Sequence, residues 1–85
     1  MASMKTIHRT TISAQCPHGH ADLYDVEFHT ACLVLVESLQ KAIDESVGTP
    51  AYQEELTIKL AEKSGCHVVT RGRHLKFETE CTADP

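Results

Sequence analysis

Tyr24-Asp25-Val26-Glu27-Phe28-His29 decides the fold, because the apolar pattern changes period just after it. Tyr24, Val26 and Phe28 fall on one side of an extended chain, and Asp25, Glu27 and His29 on the other. Strict alternation is the mark of a strand buried on one face only. Beyond it, Cys32, Leu35, Val36, Leu39, Ala42, Ile43 and Val47 follow helical spacing. They predict an amphipathic helix from about Ala31 to Val47, stopped by Gly48.

A second helix is expected next. Thr49 offers a capping oxygen, and Pro50 suits the first helical position, where its missing N–H costs nothing. Glu54 and Glu55 then sit at the positive end of the helix dipole. Leu56, Leu60 and Ala61 form its apolar stripe, and Ser64-Gly65 ends it. Before Tyr24, the β-branched residues between Lys5 and Gln15 argue for a strand, broken by Cys16-Pro17-His18-Gly19-His20. After the helices, Cys66, Val68 and Thr70 share one side of a third strand. Leu75, Phe77, Thr79 and Cys81 alternate with polar residues in a fourth. Arg71-Gly72-Arg73 is the expected hairpin turn between them.

The order is therefore ββααββ, an α+β domain: a four-stranded antiparallel sheet with two helices on one face. The other sheet face, with Asp25, Glu27, His29, Lys76, Glu78 and Glu80, is expected to meet water or the inside of a polar tunnel built by several subunits.

With 85 residues, the chain is one domain, 1–85. Residues 1–4 are expected to be a loose start and 82–85 a loose tail. Hydrophobic residues make up 41%, which argues against wholesale disorder. The longest wholly apolar run, Ala31 to Val36, is far short of a membrane span. The formal charge of −4 disfavours nucleic-acid binding. No charged-then-apolar leader opens the chain, so a cytoplasmic protein is expected, with Cys16, Cys32, Cys66 and Cys81 as free thiols.

Cys16-Pro17, followed by Asp22-Leu23-Tyr24-Asp25-Val26-Glu27-Phe28, resembles the Cys-Pro…Asp signature of the nitrile reductases of queuosine biosynthesis. It resembles equally the archaeal amidinotransferases of archaeosine biosynthesis. Both belong to the tunnelling-fold superfamily, whose subunits have the order ββααββ and act on pterin- and purine-like rings. Val36-Glu37-Ser38 is similar to the start of the helix that follows in the reductases. Tyr52-Gln53-Glu54 falls where those enzymes carry an apolar or aromatic residue, then His-Glu. Together these blocks cover about 60 residues in family order. Three departures stand out. The spacer from Cys16 to Asp22 is one residue short, Gln53 replaces the His, and Leu39-Gln40 stands where the reductases carry a Lys-Ser-rich NADPH stretch. The last puts NADPH reduction in question and makes the amidinotransferases the nearer comparison.

The resemblance implies a Cys16 thiolate that adds to the nitrile carbon of 7-cyano-7-deazaguanine. It implies Asp22 as the acid–base partner, Glu54 as the carboxylate that accepts adjacent ring N–H groups, and Glu37 and Ser38 as further substrate contacts. It also implies a homo-oligomer with pockets between subunits. No cofactor is expected beyond two alternatives: the NADPH questioned above, and zinc. For zinc, His18-Gly19-His20 resembles the metal motif of the superfamily's pterin synthases, although three protein ligands are usual in catalytic zinc. A non-catalytic binding or assembly module of the same fold is the remaining alternative.

Overall fold

A computed structural model describes residues 3–85. Met1 and Ala2, half of the expected loose start, lie outside the described residues. The elements are β1 (Thr6–Gln15), β2 (Ala21–Thr30), α1 (Val36–Ser46), α2 (Gln53–Ser64), β3 (His67–His74) and β4 (Phe77–Ala83). All strand pairings are antiparallel, in the order β1-β2-β3-β4. The α+β class and the ββααββ order stand as the sequence predicts.

The alternation in β2 is fully used. Tyr24, Val26 and Phe28 are each 1% exposed. They pack with Ile12 of β1, Val68 of β3, Leu39 and Ile43 of α1, and Leu56 and Leu60 of α2. Among the described residues, no helix is long and apolar enough to cross a membrane.

Four boundaries differ from the sequence pattern, each for a local reason. α1 begins at Val36 rather than Ala31. The Thr30 hydroxyl donates to Cys32 O at 3.0 Å, and its oxygen takes the Cys32 N–H at 3.2 Å. Such side-chain bonds compete with helix formation. α2 begins at Gln53, not Pro50. Ala51 gives its N–H to Gln15 O at 3.0 Å, which holds that stretch outside the helix. Glu55 instead takes the Tyr52 N–H at 3.2 Å, closing the first turn. The β3–β4 turn is Leu75-Lys76, not Arg71-Gly72-Arg73, since His74 pairs with Phe77. Leu75 has φ 56, an uncommon left-handed conformation for a branched residue. Finally, Thr82 and Ala83, expected in the tail, belong to β4.

The sheet face away from the helices is polar and centred on Glu27. Its carboxylate takes bonds from Arg71 Nη1 at 2.8 Å and Arg9 Nε at 3.0 Å, and lies 2.8 Å from His29 Nε2. Arg71 also donates to Glu80 at 2.7 Å, and Arg73 to Glu78 at 3.0 Å. The arginine beside it, then His29 and Arg9, pull the Glu27 carboxyl down to about 2, from an ordinary 4.5. A group depressed on folding stabilises the fold above its ordinary value and loses that effect as pH falls toward the folded one. Glu27→Gln is therefore expected to be less stable than the parent at pH 7. The two urea midpoints should converge between pH 4.5 and about 2. A constant gap across a pH series would show that the network contributes no charge-dependent stability.

Candidate functional site

Cys16 sits at the mouth of the first hairpin. Its N–H donates to His20 O at 2.9 Å, and its carbonyl takes the Gly19 N–H at 2.9 Å. Gly19, at φ 87, supplies the left-handed residue this tight loop needs. The Ala51–Gln15 bond then draws the start of α2 against the end of β1. Between them lies a cavity of about 200 Å³, lined by Cys16, Tyr24, Gln53, Glu54, His74 and Thr79, with Tyr52 at its side.

Two of the predicted site residues, Cys16 and Glu54, thus come together from distant parts of the chain. Asp22 is close by but does not line the cavity. It stands behind Tyr24, whose hydroxyl is 3.5 Å from Asp22 Oδ2 and 3.4 Å from His74 Nε2. His74 Nδ1 lies 3.8 Å from Asp22 Oδ1. Burial first, and then the Asp22 charge, push the Tyr24 phenol up to about 12, so it stays protonated. Burial and then the Glu54 charge also push up the Cys81 thiol, which keeps it neutral on the β4 side.

Gln53 is 3% exposed and holds α2 to the sheet. Its amide nitrogen donates to Thr79 O at 2.9 Å and to Thr70 O and Oγ1 at 3.2 Å. Thr57 Oγ1 donates to Gln53 O at 2.7 Å and lies 2.6 Å from Thr70 Oγ1. These contacts orient the amide, and among the described residues no group donates to Gln53 Oε1.

The remaining sequence candidates lie elsewhere. Glu37 and Ser38 are exposed in the first turn of α1 and do not line the cavity. His18 and His20 are both exposed, and the His18 ring meets the edge of Tyr52 with centroids 6.1 Å apart. Among the described residues, no group of three or more His, Cys, Asp or Glu is placed to hold a metal ion. All four cysteines are free.

Tyr24 and His74 also line the cavity, although the sequence pattern singles out neither for a site. Register is the signal that finds His74. Tyr24 pairs with Gly72, so continuing that ladder by two residues sets His74 opposite Asp22.

No protein-family model, curated protein or solved structure matches the chain.

Proposed function

We propose that this chain is an enzyme of the kind its Cys-Pro…Asp segment resembles, in which Cys16 adds to the cyano carbon of a 7-deazapurine nitrile. The observation that carries the proposal is the shared cavity of Cys16 and Glu54, which brings a nucleophile and a carboxylate to one lining. A carboxylate accepts two adjacent N–H groups of a guanine-like ring edge side by side. That fixes the ring while the thiolate attacks its substituent. The sulfur forms one C–S bond, one π bond of the nitrile opens, and the nitrogen takes a proton to give a thioimide. Nothing leaves, so the protein gains the full mass of the nitrile. Glu37 and Ser38, the other substrate contacts the resemblance implies, lie outside this cavity in the first turn of α1. The proposal includes a cytoplasmic homo-oligomer joined along the edges of β1 and β4, which have no partner strand among the described residues.

Intact mass spectrometry after incubation with 7-cyano-7-deazaguanine tests it. One adduct per chain is expected, mapped to Cys16 and lost in Cys16→Ala. An unchanged mass, or an adduct on Cys32, Cys66 or Cys81, overturns the assignment; the first outcome favours a binding or assembly module.

A further inference from the structure

A thiol adds to a nitrile only after its proton has left, and the nitrogen needs a proton as the new bond forms. Asp22 alone is poorly placed for both tasks, because it lies behind Tyr24 and off the cavity wall. His74 is placed for them. It lines the cavity with Cys16, its Nε2 faces the Tyr24 hydroxyl at 3.4 Å, and its Nδ1 faces Asp22 at 3.8 Å. A carboxylate on the Nδ1 side favours the tautomer with the proton there, leaving Nε2 as the acceptor.

We propose that His74, backed by Asp22 and fronted by the Tyr24 hydroxyl, is the proton store of the Cys16 cavity. The inference rests on the thiol-addition reading above. The S–H bond of Cys16 breaks, and its proton reaches His74 Nε2 through the Tyr24 O–H, which gives up one proton as it takes another. The thiolate then forms the C–S bond, and the same path run in reverse delivers the proton to the nitrile nitrogen. No electron changes hands and no further reactant is needed. Tyr24 carries the proton without ionising, since its phenol is held in the neutral form. Asp22 acts through His74 rather than on the ligand. The other titratable groups around the imidazole are Glu54 and Tyr52 on the α2 side, with Cys81 of β4 beyond Tyr24.

The test is the rate of Cys16 alkylation by iodoacetamide between pH 6 and 9, read by peptide mass spectrometry, with exposed Cys32 as the internal reference. In the parent protein Cys16 should be alkylated faster than Cys32 at neutral pH. In His74→Gln the Cys16 rate at neutral pH should fall roughly tenfold. Tyr24→Phe keeps the buried ring and removes only the hydroxyl, and should lower the rate the same way. Cys32 should not respond to either substitution. A Cys16 rate unchanged in His74→Gln and Tyr24→Phe overturns the relay, even if the nitrile adduct forms. A lowered rate without any nitrile adduct in the parent supports the relay and removes the nitrile as its substrate.

Discussion

Phe28→Ala is expected to remove roughly 3–5 kcal/mol of stability. A domain of this size holds only about 5–15 kcal/mol in total. The ring lies near the C-terminal end of β2, 1% exposed, in the core shared with Leu39 and Ile43 of α1. Its loss costs the transfer of the ring from water and leaves a cavity that a sheet on one side and a helix on the other cannot readily close. Each lost kcal/mol should lower the melting temperature by roughly 4–8 °C. Leu23 is the control, on the same strand but 69% exposed and facing the other way. Leu23→Ala should stay within about 0.5 kcal/mol of the parent. Urea denaturation of the three proteins decides the matter, and equal midpoints for the two variants would refute this assignment of the buried face.

Gly72→Ala is expected to damage both stability and the site. A methyl group on Gly72 would lie 2.5 Å from Tyr24 Cδ1 and 2.6 Å from Cε1, and 3.3 Å from Gln53 Oε1. The backbone of Gly72 is not in the left-handed region, unlike Gly19 and Gly65. The demand for glycine thus comes from the tyrosine ring lying over it rather than from the chain itself. Overpacking of this kind costs about 1–3 kcal/mol, and relief requires the ring to move, which displaces the hydroxyl from His74 and Asp22. The same substitution made in a Tyr24→Leu background should cost far less, because the ring it strikes is gone. A double-mutant cycle reads this coupling directly. Additive costs in the cycle would mean that ring and glycine do not meet.

Gly72 also explains what the sequence alone conceals. Arg71-Gly72-Arg73 has the composition of a turn, yet it continues β3, with Leu75-Lys76 as the turn. A glycine placed for an aromatic neighbour on the next strand looks, in one dimension, like a glycine placed for a bend. Misplacing that turn moves His74 onto the wrong strand and hides its position opposite Asp22. The α1 start is concealed in a similar way. Cys32 and Leu35 keep helical spacing, while the Thr30 hydroxyl diverts the backbone. By contrast, Tyr24, Val26 and Phe28, and Leu56, Leu60 and Ala61, are legible without a structure, because burial on one face imposes a period that few other constraints produce. Cys16 and Glu54 stand out only through the family resemblance, and it takes the Ala51–Gln15 bond to bring their segments together.

Gln53 carries a consequence for how durable this protein can be. One half of its amide fastens α2 to β3 and β4, while the other half, Oε1, is buried with no donor among the described residues. An unmatched buried acceptor costs about 1–3 kcal/mol, a large share for so small a chain. Sequences filtered for thermal endurance alone discard such atoms. One that keeps an amide there carries a weak point where α2 meets the sheet, fastened by one half of a side chain whose other half works against it.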